Sequence, residues 1–252
     1  LNSCDLPEKS CNIVASALQS SNSPLRDLDL SYNDLGDSGV ELLCAGLRSP
    51  NCKLQRLRLN SCDLTQKSCN IVASALQSSN SPLRDLDLSY NNLGDSGVKL
   101  LCAGLRSQNC KLQRLGLNSC DLTQKSCNIV ASALQSSNSP LRDLGLSYNN
   151  LGDSGVKLLC AGLRSPNCKL QRLGTRTQRL RRKATGLLRG IQTEQGNSKP
   201  ELDWERLEPD WTRLEPEQEQ EQVRAGAGAG FSRYRSRTEQ NCGWSRSEEE
   251  QG

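Results

Sequence analysis

Residues Leu25-Arg-Asp-Leu28-Asp-Leu30-Ser-Tyr-Asn33-Asp-Leu35 spell L-x-x-L-x-L-x-x-N-x-L. Twenty-nine residues on, Leu54-Gln-Arg-Leu57-Arg-Leu59-Asn-Ser-Cys62-Asp-Leu64 repeats the pattern with Cys in the Asn place. The pattern restarts at Leu83, Leu112, Leu141 and Leu170, and Leu1 to Leu6 match the tail of an earlier copy. Two unit types alternate, so near-identical stretches recur every 58 residues, as at Cys4, Cys62 and Cys120. Repetition at such a period predicts a stack of like units rather than a globule with one central core.

The physics of one unit follows from its two spacings. Leu-x-Leu alternation, as at Leu28 and Leu30, predicts a short strand with one buried face. The Asn or Cys three residues later falls where the chain turns. There Asn33, Asn91 and Asn149 are expected to form a ladder that satisfies backbone groups, with Cys4, Cys62 and Cys120 as weaker donors between them. A helix follows. Asp37, Asp95 and Asp153 are expected to cap it in one unit type, Thr65 and Thr123 in the other. Apolar residues then recur at helical spacing, Val98, Leu101, Cys102 and Leu105 in one type and Cys69, Val72, Ala73 and Leu76 in the other. Small residues such as Ala73 and Gly104 are expected to let helix and sheet approach closely. Pro24, Pro82 and Pro140 end the helical stretch and force extended backbone before the next strand. No unit buries its Leu face alone, so residues 1–174 are expected to stack as an α/β solenoid. Its parallel sheet lines a concave face and its helices a convex one, with six strands spanning an inner arc of about 24 Å. That makes a segment of a horseshoe.

Composition narrows the function. The chain has 252 residues, 35% hydrophobic and only 3% aromatic, so its core must be aliphatic. It contains no His. The usual neutral-pH general base, the partner of a Ser or Cys nucleophile and the commonest metal ligand are therefore all missing, and we expect no enzyme, cofactor or metal site. A net charge of +4 is too small to imply nucleic acid or membrane by itself. No apolar run of membrane-spanning length, signal-like start or Asn-x-Ser/Thr acceptor occurs, which favours a cytoplasmic protein. Met is absent and Leu1 opens within a strand pattern, so the chain is expected to be a piece of a longer protein.

Twelve of the thirteen cysteines lie in the repeats, none in C-x-x-C. They are expected to be packing residues and free thiols, with metal or redox roles as the lesser reading. Residues between the motif leucines should face a partner across the concavity. These candidate contacts are Arg26, Asp29, Tyr32, Arg56, Arg58, Arg84, Asp87, Tyr90, Arg114, Arg142 and Tyr148. The three tyrosines should form a column spaced by about 10 Å, either as interface anchors or as template residues covering their neighbours. Among the few differences between copies, Asp29/Asp87/Gly145 and Arg58/Gly116/Gly174 share one mid-strand slot. Either partner choice is tuned there, or the slot drifts because it is exposed.

After Leu173 the register fails, with Thr at position 175. A basic run through Arg176, Arg179, Arg181, Arg182, Lys183 and Arg189 is expected to be an amphipathic capping helix over 175–191, with an anionic-surface role as the alternative. Residues 192–252 hold a tandem Asp-Trp-x-Arg-Leu-Glu-Pro, Glu/Gln alternation and Ala/Gly alternation, and are expected to be disordered.

The strings Leu59-Asn-Ser-Cys-Asp-Leu-Thr65 and Leu88-Ser-Tyr-Asn-Asn-Leu-Gly-Asp-Ser-Gly-Val-Lys-Leu-Leu101 resemble the leucine-rich repeats of ribonuclease-inhibitor type. They are most similar to those of NACHT, LRR and PYD domains-containing proteins. The resemblance covers Leu1 to Leu173. It implies the ligand-sensing repeats of a cytosolic innate-immune receptor of the NLR and inflammasome class. The partner would be a protein ligand or an upstream domain of the same chain, and ATP would enter only through an upstream NACHT module. No G-x-x-x-x-G-K-[ST] phosphate loop is present in these residues. A free-standing inhibitor like ribonuclease inhibitor is the alternative. Its basic ligands would want an acidic concavity, whereas the intervening positions here are mixed.

Overall fold

A computed structural model describes residues 1–175. The expected capping helix over 175–191, Thr175 apart, and the expected disordered tail over 192–252 lie outside the described residues. Helices and strands alternate: α1 (Ser10–Gln19), β1 (Asp27–Asp29), α2 (Gly36–Leu47), β2 (Arg56–Arg58), α3 (Gln66–Gln77), β3 (Asp85–Asp87), α4 (Gly94–Leu105), β4 (Arg114–Gly116), α5 (Gln124–Leu134), β5 (Asp143–Gly145), α6 (Gly152–Leu163) and β6 (Arg172–Gly174). The six strands form one parallel sheet in chain order. Each residue pairs with its counterpart one unit on, Leu28 with Leu57, Leu57 with Leu86, and so to Leu144 with Leu173. This is the leucine-rich-repeat solenoid that the spacing predicts. The motif leucines and the helical Val, Leu and Cys positions bury together in a continuous aliphatic core from Cys11 to Leu173.

The Asn ladder is built in every second unit. The Asn91 amide oxygen accepts from the Cys62 and Leu64 amides at 3.0 Å each, and its nitrogen donates to the carbonyls of Leu59, Leu88 and Ser89. Asn33 and Asn149 bond the same way, reaching Cys4 and Cys120 respectively. The cysteine rungs reach back in turn, the Cys62 thiol donating to the Leu30 carbonyl at 3.2 Å and Cys120 to Leu88 at 3.3 Å. One Asn side chain thus satisfies backbone groups of two units, which ties neighbours together as firmly as it shapes the turn.

Helix ends are secured across units too, and here two expectations are corrected. Asp37, Asp95 and Asp153 do not cap their own helices. Each is the second residue of its helix, behind Leu35, Leu93 and Leu151, whose side chains supply no cap bond. Asp37 instead points to the next helix. It accepts from the Thr65 amide (3.0 Å), the Thr65 hydroxyl (2.6 Å), the Ser68 amide (3.1 Å) and the Ser68 hydroxyl. Asp95 holds Thr123 and Ser126 in the same manner. Thr65 and Thr123 do cap α3 and α5, accepting from the Lys67 and Lys125 amides. The second correction concerns the small residues, which serve helix–helix and not helix–sheet packing. A Cβ added at Gly104 would lie 3.0 Å from the Ala73 Cα, and one at Gly162 only 2.6 Å from the Ala131 Cα. The solenoid therefore alternates two junctions, a glycine contact (α3 to α4) and an aspartate clamp (α2 to α3).

Candidate functional site

Columns of side chains run across the sheet from strand to strand. The outer column reads Asp27, Arg56, Asp85, Arg114, Asp143, Arg172, because the 29-residue register sets each beside the next. Charges alternate, and they pair. Arg56 donates to Asp27 through Nη2 at 2.7 Å, Arg114 bridges Asp85 at 3.3 Å and Asp143 at 2.8 Å, and Arg172 also holds Asp143. The Arg56 hydrogen bond holds the Asp27 carboxyl below its ordinary pKa. Burial instead pushes Asp85 up, against the pull of Arg114. Arg56 and Arg114, expected to reach for a partner, are thus already engaged in ion pairs. Asp85 and Asp143 were not among the sequence candidates, although adding 29 to Arg56 and to Arg114 places them.

The middle column reads Asp29, Arg58, Asp87, Gly116, Gly145, Gly174. Arg58 and Asp29 pair at 3.6 Å on the partly exposed side. Asp87 departs from expectation. It occupies the predicted mid-strand slot but is only 3% exposed, although its carboxylate accepts the Ser89 amide at 3.0 Å just as Asp29 accepts that of Ser31. Desolvation pushes its pKa up to about 7, against hydrogen bonds from Ser89. The reason is position: Asp29 lies on the sheet's first strand, whereas Asp87 is enclosed by strands on both sides. A buried carboxyl does not greet a partner.

The third column, one residue past the leucines, alternates Ser31, Asn60, Ser89, Asn118 and Ser147. Ser31 donates to Asn60, Ser89 accepts from the Asn118 amide at 3.1 Å, and the Asn118 side chain accepts from the Ser147 amide at 2.9 Å. The Asn118 carboxamide lies over Gly145, where a Cβ would come within 2.9 Å of its oxygen. Sequence reasoning passed over this column, since Ser and Asn beside a turn look like ordinary loop residues.

Tyr32, Tyr90 and Tyr148 do recur at every second strand, half-buried, in the turns after β1, β3 and β5. Their φ values of 58°, 60° and 60° are left-handed, a strained conformation for a bulky residue. The Asn33, Asn91 and Asn149 amides next in sequence bond around these turns and hold them. Arg26, Arg84 and Arg142 are exposed, and their guanidinium groups make no hydrogen bond or ion pair within the described residues. All twelve described cysteines are free thiols, ten of them buried. Burial pushes Cys44, Cys62, Cys69 and Cys102 up to about 12, so these are inert packing groups. Among the described residues no cluster of His, Cys, Asp or Glu is placed to hold a metal, and no helix is long and apolar enough to cross a membrane.

A family model described as Leucine Rich repeat matches residues 21–44, 79–102 and 137–160. These are the units that carry Asn33, Asn91 and Asn149; the Cys units between them join through register. Three solved structures are similar to this chain in part. Leiomodin-1 Actin-Binding Site 2 has a TM-score of 0.49 at 19% identity, over 61% of this chain and 89% of that one. The tropomodulin C-terminal domain of Caenorhabditis elegans has a TM-score of 0.41 at 15% identity, over 75% and 99%. TLR13, solved in a TLR13-ssRNA13 complex, has a TM-score of 0.36 at 20% identity, over 68% and 23%. No curated protein matches. The unit pattern, the in-register sheet and the family match together identify the described residues as leucine-rich repeats, a fold suited to binding other proteins.

Proposed function

We propose that residues 1–175 are the protein-binding repeats of a cytosolic receptor of the NLR class, with the concave sheet as the contact surface. The observation that carries the binding role is the division of labour within the strands. Leu28, Leu57, Leu86, Leu115, Leu144 and Leu173 repeat in every strand and are buried, while the slot between leucines runs from the partly exposed Asp29 and Arg58 to a buried Asp87 and then to Gly116, Gly145 and Gly174. A face whose chemistry changes while its scaffold stays fixed suits recognition of a partner. The receptor class rests on the resemblance of Leu59–Thr65 and Leu88–Leu101 to NLR repeats. Twelve free thiols support a reducing compartment. The inhibitor reading is weaker, because Arg26, Arg84 and Arg142 leave the concave face with uncompensated positive charge. A direct test immobilises the full chain and identifies what it captures from cytosolic extract. Charge reversals Arg58→Glu and Arg114→Glu should abolish capture, and Lys99→Glu and Lys157→Glu on the convex helices should leave it intact. The opposite pattern would place the contact on the helices.

A further inference from the structure

Every described arginine of the outer and middle columns has an aspartate beside it, but the column next to these does not follow suit. One residue before each strand, the positions read Arg26, Gln55, Arg84, Gln113, Arg142, Gln171. They continue the sheet in register: the Gln55 amide donates to the Arg26 carbonyl at 2.7 Å, Arg84 to Gln55 at 2.9 Å, Gln113 to Arg84 at 2.7 Å and Arg142 to Gln113 at 2.8 Å. The three guanidiniums are exposed and, among the described residues, without an ion-pair partner, separated by neutral amides. They form an ordered row of uncommitted cations on every second strand.

Resting on the reading of the concave sheet as a contact surface, we propose that this row binds an acidic polypeptide segment in polyproline II conformation, with a carboxylate at every third residue. The spacing selects the partner. Strands lie about 4.8 Å apart, so the arginines recur at about 9.6 Å. A polyproline II chain rises about 3.1 Å per residue with three residues per turn, which returns a side chain to the same face every 9.3 Å or so. A fully extended strand repeats its faces at about 6.7 and 13 Å and misses the row. A helix repeats at about 10.5 Å over seven residues, and side chains on the inner side of an arc converge, which shortens the gap away from that value. The adjoining aspartates sharpen the choice. Asp27, Asp85 and Asp143 follow the arginines directly, so a continuous polyanion such as RNA meets repulsion between its contacts. A chain charged only at every third residue does not. Each guanidinium can grip one carboxylate with two hydrogen bonds.

The test is fluorescence anisotropy of the full chain with a labelled (Glu-Pro-Pro)5 peptide at low salt. The expected result is saturable binding that weakens about fivefold with Arg84→Gln or Arg142→Gln and about 20-fold with both, as for exposed ion pairs. A (Glu-Pro)5 peptide of equal charge should bind at least about fivefold more weakly. These arginines are exposed, so circular dichroism should be unchanged. Absent binding, equal affinity for both spacings, indifference to the substitutions, or tighter binding of a single-stranded oligouridine would each overturn the proposal. If the peptide fails while Arg58→Glu still abolishes partner capture, only the acidic-segment assignment falls. If capture ignores Arg58 as well, the concave surface itself was misassigned.

Discussion

The carboxylate of Asp37 holds the N-cap residue of the next helix, 28 residues later, accepting both the amide and the hydroxyl of Thr65. It sits in the first turn of α2 yet satisfies the N-terminus of α3, so an end group of one unit is completed by the unit before it. The far ends follow the same logic, with Asn109 donating to the Gln77 carbonyl at the end of α3 at 2.8 Å. Cooperativity between repeats is thereby written into hydrogen bonds as well as apolar packing.

Removing a clamp should therefore destabilise the stack at a junction. Asp95→Ala should cost about 1–2 kcal/mol in urea unfolding at pH 7, the range for loss of a helix cap. Burial works to raise the Asp95 pKa, but hydrogen bonds from Ser126 and Thr123 outweigh it and the net shift is downward. A lowered pKa stabilises above the unfolded-state value and ceases to do so as pH falls through the folded-state value. The gap between wild type and Asp95→Ala should accordingly narrow from pH 5 to pH 2. A constant gap would show that the charge is irrelevant to the clamp.

Asp87 predicts the opposite slope. Its pKa is raised from 3.8 to about 7 by burial, so its contribution is intact below pH 4 and is lost as pH climbs toward 7. Asp87→Asn keeps an acceptor for the Ser89 amide and removes the charge. It should raise stability at pH 8 by about 1–3 kcal/mol and change little at pH 4. Equal effects at both pH values would mean that Asp87 stays ionised in the fold.

Much of this architecture was legible beforehand and some of it was not. Leu28 and Leu30 announce a strand by alternation, and the 29-residue period dictates stacking, because neither depends on knowing a neighbour. The Asp27–Arg56–Asp85 column was readable in the same arithmetic, once register is taken as literally as the period. The Asp37 clamp was not. A good capping residue at a helix start is locally indistinguishable from one that reaches across, and only the offset between α2 and α3 decides. The contrast between Asp29 and Asp87 was hidden for a related reason. The two occupy identical local sequence and differ in what flanks them in the sheet.

The two unit types differ at a buried site two residues before the motif Leu, where Cys52 and Cys110 alternate with Ser81 and Ser139. Both serines are 3% exposed, and their hydroxyls have no hydrogen-bond partner among the described residues. Ser81→Cys and Ser139→Cys should each stabilise by about 1 kcal/mol, since an unsatisfied hydroxyl is replaced by the weakly polar group that the sister unit carries. Loss of stability in thermal melts would show that these hydroxyls are satisfied in solution.

Gly162 is a case where helix propensity and packing disagree. Ala in place of Gly ordinarily favours a helix by about 1 kcal/mol. Here the new Cβ would meet the Ala131 Cα at 2.6 Å, a backbone atom that trimming a side chain cannot move. Gly162→Ala should cost about 1–3 kcal/mol, and adding Ala131→Gly should not restore it. Recovery in the double variant would place the clash on the side chain instead.

Photo-crosslinking distinguishes contact through the concave sheet from contact through the helical back. A photo-crosslinking residue at position 84, in the arginine row, can be compared with one at position 103, exposed on α4. With a captured partner present, position 84 should yield crosslinked adducts that excess (Glu-Pro-Pro)5 suppresses, and position 103 should yield none. Crosslinking confined to position 103 would move the contact surface to the helices.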